Sequence, residues 1–400
     1  MPFSDKRPNQ IDESDLIALV ANEPEHRVID YKRDLIGATD GDKKEFLYDV
    51  SSFANTQGGY LVLGVEEGGG VPTSIVGLPG ADPDGEILRL EQMVRDGIRP
   101  PISGIETAAV TLANGNLAIV MRIPKSWNPP HQVTYQKAFR FYARDTNGKY
   151  QIDVDELRSA FALSASVADK MRDFRAGRVA AIASGDAPVT LLNGGALILH
   201  VVPFSAVSVA GSFSIQRAAA NPNLFPTIPD RFARNFQLTF DGLTVTSNVD
   251  APPVPQRAYT QVFRTGAVEG VASSIARQTD ALILPTLEAM IVRYAKIYMR
   301  ALHSLGLEPP IAVFASLVNV GGFRMIEYFD QMAQLCDLPQ VRLSRPTYHF
   351  VESIFQQIPG DDRSAAKGLR LTLDHLANAA GLSASPSFDE AGNYTLDLGP

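Results

Sequence analysis

Residues 53–67 read FANTQGGYLVLGVEE, and the fold of the first part of the chain turns on this stretch. Phe53 and Ala54 close a run with Phe46, Leu47 and Val50 at helical spacing. Asn55-Thr56-Gln57-Gly58-Gly59 ends that helix, with glycine where a positive φ is cheap. Residues 60–65 form an apolar strand, and Glu66-Glu67-Gly68-Gly69-Gly70 is its turn. A helix that turns sharply into a strand, with Phe53-Ala54 packing the helix back onto the sheet, is the seed of a mixed α/β unit.

Upstream, Asp42-Lys43-Lys44-Glu45 resembles a capping box that opens the helix. Before it, HRVIDYKRDL at residues 26–35 alternates as a strand does. Val28, Asp30, Lys32 and Asp34 fall on one face, and Ile29, Tyr31, Arg33 and Leu35 on the other. Residues 15–22 form a short apolar helix. Downstream, the pattern predicts a helix at 87–98, strands at 117–123 and 138–143, and a helix at 154–163. The fold class is therefore α+β (mixed α/β). A connecting helix and linker follow at 164–190, with Met171, Phe174, Val179 and Ile182 roughly on one side, broken by Ser184-Gly185-Asp186-Ala187-Pro188.

From residue 191 a second α/β domain is expected. It has a buried strand at 196–202 and a hairpin at 237–246 on Asp241-Gly242. A strand at 259–263 follows. The long amphipathic helix at 287–305 is stopped by Gly306 and Pro309-Pro310, and a strand at 311–318 comes after it. The domains are thus 1–163, the linker 164–190, and 191–400. The helix at 287–305 is apolar enough to serve as core or as interface, with core favoured.

The 400 residues are 45% hydrophobic and 20% charged, a composition that excludes wholesale disorder and fits two domains. A single cysteine, Cys336, expected on a helix, excludes a disulfide framework and any Cys-rich metal site. It fits a reducing compartment, so a cytoplasmic location is expected. The opening MPFSDKRPNQ lacks the apolar core of a signal peptide. Residues 187–216 contain no Asp, Glu, Lys or Arg, but Asn193, His200 and Pro203 interrupt them, so a strand is read rather than a membrane span. The net charge of −8 argues against a generic nucleic-acid coat, so any such binding must come from a local patch.

No Walker loop, dinucleotide fingerprint or nucleophile elbow is present. The six histidines have no metal-ligand spacing, and His200, in an apolar strand, reads as a satisfied core histidine. The positive signals are two. Glu25, Asp30 and Lys32 bring carboxylates and an ammonium together around one strand, a set suited to holding a divalent metal and stabilising a phosphodiester transition state. The same acid-x-lysine pattern also occurs on plain solvated strands. The second signal is Arg122, Lys125, Lys137, Arg140, Arg144 and Lys149 against one acid, Asp145, interleaved with Trp127, Tyr135, Phe139, Phe141 and Tyr142. Cations for phosphates and aromatic faces for bases suit single-stranded or looped RNA. Exposed cations beside buried aromatics would give the same pattern.

EPEHRVIDYKRDL, FLYDVSSFANTQGGYLVLGVEEGG and IVGL, in this order, resemble the AlbA-like nucleic-acid-processing domain of the Schlafen family, over about residues 15–160. The second domain resembles no family. The resemblance implies a metal site of three carboxylates, which by position are Glu25, Asp30 and Glu67, with Lys32 as the family lysine and Mg2+ or Mn2+ as cofactor. Asp30 stands where glutamate is usual and Glu67 where aspartate is common. The implied function is a metal-dependent endoribonuclease acting on structured RNA such as tRNA, in bacterial defence or stress. The substrate-binding residues are Arg122, Lys125, Lys137, Arg140 and Arg144. The alternative is a non-catalytic nucleic-acid-binding regulator, and an ATP-binding protein ranks third because the phosphate loop is missing. The expected partner is tRNA-like RNA or another nucleic acid, with no membrane. Family cores clamp RNA between two lobes, so a homodimer is the expected source of the second.

Overall fold

The computed structural model describes residues 6–20, 22–146, 148–207, 213–230, 233, 235–248, 254–276, 280–329 and 335–396. The fold is mixed α/β, and the chain divides into two compact units, Met1–Ser166 and Val167–Pro400.

The first unit begins with α1 (Glu13–Ile17), β1 (Ile29–Lys32), α2 (Asp40–Ala54) and β2 (Gly58–Leu63). The hairpin β3 (Val65–Gly68) and β4 (Val71–Ile75) follows, then α3 (Pro83–Gly97), β5 (Ile98–Arg99), β6 (Glu106–Thr111) and β7 (Leu117–Pro124). β8 (Gln132–Val133), β9 (Arg140–Asp145) and β10 (Gly148–Gln151) lead into α4 (Val154–Ala183). One sheet has the order β1-β2-β7-β6, with β1 parallel to β2, and a second has the order β10-β9-β8-β5.

Alternation along β1 decides what faces what. Ile29 and Tyr31 join Tyr60, Val62, Ala118 and Val120 in a core on one side of the first sheet. On the other side α2 packs Phe46, Leu47, Val50, Phe53 and Ala54 against Leu61, Leu63, Ile119 and Met121. Asp30 pairs in register with Leu61, and Lys32 with Leu63, so both acid and lysine face α2. The helix starts earlier than the sequence suggested. Thr39 caps it, its Oγ1 accepting from the Asp42 amide at 3.1 Å, and Asp42-Lys43-Lys44-Glu45 lie inside. The turn into β2 needs its two glycines for different reasons. Gly58 has φ +74°, and a Cβ there would meet the Lys125 nitrogen at 2.5 Å. A Cβ on Gly59 would sit 2.6 Å from the Phe53 ring.

The second unit contains β11 (Ala196–Pro203), α5 (Ile215–Ala219), β12 (Asn235–Leu238), β13 (Gly242–Thr246), β14 (Ala258–Phe263) and β15 (Val268–Ser273). β16 (Ala281–Ile283), α6 (Leu284–Ser304), β17 (Ile311–Val318), β18 (Arg324–Phe329) and β19 (Leu335–Arg342) follow. The chain then forms β20 (Thr347–His349), β21 (Ser353–Phe355), α7 (Asp362–Gly368) and α8 (Arg370–Ala379). Its main sheet has the order β12-β13-β14-β15-β11-β17-β20, and β21 also pairs with β17. The helix read at 287–305 is core: Leu287, Ile291, Tyr294 and Leu302 are buried within the unit, so its apolar face is not a surface for a second copy. Two expectations are corrected. The helix read at 154–163 continues unbroken to Ala183. Cys336 lies on β19, a strand and not a helix. Among the described residues, no helix is long and apolar enough to cross a membrane.

One buried acid on α6 has a consequence for stability. Glu288 is fully buried, accepts a hydrogen bond from Ser387 Oγ, and leaves Oε1 without a hydrogen-bond partner. Burial pushes its carboxyl up to about 7, against the opposing pull of Ser387 and Ser385. A folded value above the unfolded one means a contribution fully present below about 4.5 and lost as the pH rises through 7. Glu288→Gln is therefore expected to stabilise the second unit by up to about 3 kcal/mol at pH 8 and by little at pH 4. Thermal melts at both pH values check this, and equal melting temperatures at pH 8 would refute it.

Candidate nucleic-acid interface

Asp30 and Lys32 project from β1 toward Asp49 of α2, and Arg144 of β9 and Lys149 of β10 close on the same point from the far side. Lys32 Nζ donates to Asp30 Oδ1 at 2.7 Å, and Arg144 donates through a terminal nitrogen to Asp30 Oδ2 at 2.6 Å. Lys149 Nζ donates to Asp49 Oδ1 at 2.9 Å and also pairs with Glu45. Lys32 lies 3.5 Å from Asp49 Oδ2, and Arg144 lies 3.7 Å from Asp49 Oδ1. The Arg144 guanidinium rests 4.5 Å from the centre of the Phe53 ring. Three carboxylates and three cations thus form one cluster.

The electrostatics follow from that count. Burial alone would raise the Asp30 carboxyl, but Lys32 and Arg144 hold it below its ordinary value. Asp49 goes the other way, since burial and the charge of Asp30 outweigh Lys32 and Lys149. Burial would lower the ammonium of Lys32, but Asp49 and Asp30 raise it. Lys149 is raised likewise, by Asp49 and Glu45 against burial.

Glu25 and Glu67 stand beside this cluster. Glu25 Oε1 accepts from the Tyr31 amide at 3.0 Å, and burial, reinforced by Asp30 and Glu67, raises its carboxyl. Glu67 does not sit at the end of the strand next to Asp30. Gly64, at φ +93°, breaks β2 from β3, and Glu67 lies in the β3–β4 hairpin, where its Oε2 accepts from the Gly70 amide at 2.6 Å. Gly70 also accepts at its carbonyl from the Glu25 amide at 2.6 Å, so the hairpin tip brings the two glutamates together. A divalent metal needs several carboxylate oxygens in one inner shell. Here both Asp30 oxygens are taken by Lys32 and Arg144. Among the described residues, no three His, Cys, Asp or Glu side chains are grouped to hold an ion. The arrangement does not fit Mg2+ or Mn2+ on Glu25, Asp30 and Glu67.

The expected substrate-binding cations divide. Arg144 is corrected outright: with 4% of its side chain exposed and its arms on Asp30 and Asp49, it cannot reach a phosphate. Arg122 is half-buried and 3.6 Å from Glu106. Lys125 is exposed and lies 5.1 Å from the Trp127 ring centre. Lys137 and Arg140 are exposed, and Arg140 donates to Gln151 at 3.0 Å. Phe139, between them, is 59% exposed. Gln136, Lys137 and Phe139 all have positive φ, at 48°, 57° and 46°. Such backbone is costly for residues with side chains and persists where the surroundings fix it. The fixing contacts are visible. Tyr135 Oη donates to Asp40 at 2.8 Å, Asn55 Nδ2 donates to the His131 and Tyr142 carbonyls, and Tyr142 meets Tyr48 at 4.2 Å between ring centres.

Asp49 was missed, although the sequence carried a signal for it. It sits between Phe46 and Phe53 on the buried face of α2, where an acid demands partners. Asn55 ends α2 as the sequence predicts. It also pins the segment that carries the exposed cations, accepting the His131 amide at 2.7 Å.

Residues 25–153 match the family model described as Schlafen, AlbA_2. No curated protein matches the chain. Among solved structures, the chain is similar to the DIP2311 protein of Corynebacterium diphtheriae at 18% identity and a TM-score of 0.26, over 37% of this chain and 27% of that one. It is also similar to the N-terminal domain of an ATP-dependent DNA helicase RecG-related protein from Nitrosomonas europaea, at 26% identity and a TM-score of 0.21, over 25% of this chain and 65% of that one. The chain thus spans about a quarter of the first protein and just under two thirds of the second. The stretch from Glu25 through the FANTQGG turn to Asp153 is thus the part of the chain that is similar to the Schlafen AlbA_2 domain.

Proposed function

We propose that the first unit binds RNA, single-stranded or looped, and does so without a catalytic metal. The observation that carries this reading is the 136–140 segment. It presents Phe139 to solvent between Lys137 and Arg140, with Gln136, Lys137 and Phe139 in the left-handed region. An exposed ring flanked by cations offers a base a face to stack on and its phosphates two charges. The Schlafen AlbA_2 match supports a nucleic-acid-related role. The charged cluster beneath supports the non-catalytic form, because its acids are already neutralised by Lys32, Arg144 and Lys149.

Two substitutions test this. Phe139→Ala is expected to weaken single-stranded RNA binding by about 1–3 kcal/mol, the worth of one stacked base. Arg140→Ala should flatten the salt dependence by about one phosphate contact's slope. Both sites are exposed, so the fold should be unaffected. Filter binding at two salt concentrations reads both effects, and wild-type affinity and slope in both variants would remove the proposal.

A second reading, metal-dependent cleavage of structured RNA such as tRNA, is favoured by one observation. Glu25 lies close enough to Asp30 and Glu67 for both charges to raise its carboxyl. It requires Asp30 to leave Arg144. Loss of full-length tRNA only when Mg2+ or Mn2+ is added would select it.

A further inference from the structure

We propose that β12, at the edge of the main sheet of the second unit, pairs antiparallel with β12 of a second copy of this chain and closes a weak two-fold dimer. The alternation of backbone hydrogen bonds decides which groups are open. The Thr239 amide donates to the Gly242 carbonyl at 2.7 Å, so Thr239, Gln237 and Asn235 turn their backbone groups toward β13. Phe236 and Leu238 therefore turn their amides and carbonyls to the other side. Among the described residues no strand pairs with that side. An open row of donors and acceptors is a template for an extended strand.

The side chains of the same two residues point to a strand that continues the core. Phe236 lies opposite Val245 and Leu238 opposite Leu243, both fully buried in the core of the unit. Yet Phe236 is 50% and Leu238 56% exposed. The core face thus runs out to the sheet edge and stops with two large apolar side chains uncovered. β12 itself is the strand that fits. Residues 235–240, NFQLTF, carry neither charge nor proline, the devices that keep edge strands apart. A two-fold axis through Gln237 sets Phe236 opposite the partner's Leu238, an apolar cross-strand pair made twice. It sets Ala233 opposite the partner's Asp241, so no like charges meet. The patch is small beside the roughly 800 Å² per partner of a stable complex, so the pair is weak. The inference goes beyond the RNA-binding proposal and does not rest on it.

The test is sedimentation equilibrium of the full chain, paired with cysteine cross-linking. Wild type is expected to pass from monomer to dimer between about 1 and 100 µM. Leu238→Lys is expected to weaken the dimer about tenfold or more at an unchanged melting temperature, because the lysine stem covers the same apolar surface while its charge blocks the edge. The register is read separately. Gln237→Cys meets itself across the axis in a non-hydrogen-bonded pair, at about 4.5 Å between Cα atoms, and should give a disulfide-linked dimer on mild oxidation with diamide. Asn235→Cys faces the partner's Thr239 and lies more than about 10 Å from its own copy, so it should not, and neither should wild type. A wild type still monomeric at about 100 µM overturns the proposal. So does wild-type self-association in Leu238→Lys, or equal cross-linking at 235 and 237. If Leu238→Lys does not fold, the cross-linking at 237 against 235 decides.

Discussion

Asp30→Ala is expected to destabilise the first unit by about 3–5 kcal/mol, the range for removing one partner of a buried ion pair. Most of that loss comes from what is left behind. Arg144, with 4% of its side chain exposed, loses its closest acceptor, and Lys32 loses its shortest contact. Asp49 would then be the one carboxylate of the cluster left to Lys32 and Arg144, while Lys149 is shared between Asp49 and Glu45. Replacing both charges with apolar groups, as in Asp30→Leu with Arg144→Met, should recover much of the loss, because a packed apolar pair is often as stable as a buried ion pair. The single tryptophan, Trp127, lies in this unit, so fluorescence during urea unfolding reports it. A loss below about 1 kcal/mol, typical of exposed pairs, would mean the cluster does not hold the two sheets to α2.

Glu269→Ala is expected to have an effect of similar size in the second unit. Glu269 is fully buried on β15. It accepts two hydrogen bonds from Arg178 at 2.9 and 2.8 Å, one from Tyr259 Oη at 2.7 Å, and pairs with His200 Nε2 at 2.9 Å. Burial alone would raise its carboxyl, but Arg178 and His200 hold it near 2. A folded value below the unfolded 4.5 gives a contribution present above 4.5 and lost as the pH falls toward 2, worth about 3 kcal/mol. Alanine also strands Arg178, which otherwise lies 5.4 Å from the Phe263 ring, and leaves His200 with neither ring nitrogen bonded. The loss should therefore be about 3–5 kcal/mol at pH 7 and shrink in acid. Calorimetry across this pH range checks both the size and the sign; a loss that grows toward pH 3 would contradict the assignment.

Sequence reading located the elements whose pattern is local. The 2-residue alternation of β1, the helical spacing of Phe46 to Ala54 and the stop at Gly306 each act within a few residues, and each is present. The hairpin of β12 and β13 is present too, but Leu238 pairs with Leu243 and the Thr239 amide donates to the Gly242 carbonyl, so the turn falls at Phe240-Asp241 and Gly242 opens β13. His200 reads correctly as a core histidine, but it is only half satisfied: Nε2 pairs with Glu269, and Nδ1 is buried without a hydrogen-bond partner. What escaped depends on distant pairing. The sheet of β5, β8, β9 and β10 is built from short strands, two of only 2 residues, too brief to show a period. Arg144 has the same outward signs as Arg140, but its partner is 114 residues away, and only the fold shows that one is buried while the other faces solvent. Glu66 and Glu67, expected in a turn, lie instead on β3, because Gly64 at positive φ ends β2 and a new hairpin strand starts at Val65.

The most direct test of the account is a binding and cleavage measurement on one labelled RNA, with the full chain in excess, in EDTA and then in Mn2+. The account predicts the same salt-sensitive affinity in both, full-length RNA recovered from both, and weakened binding for Phe139→Ala. Cleavage that appears with Mn2+ and is absent in EDTA would contradict it.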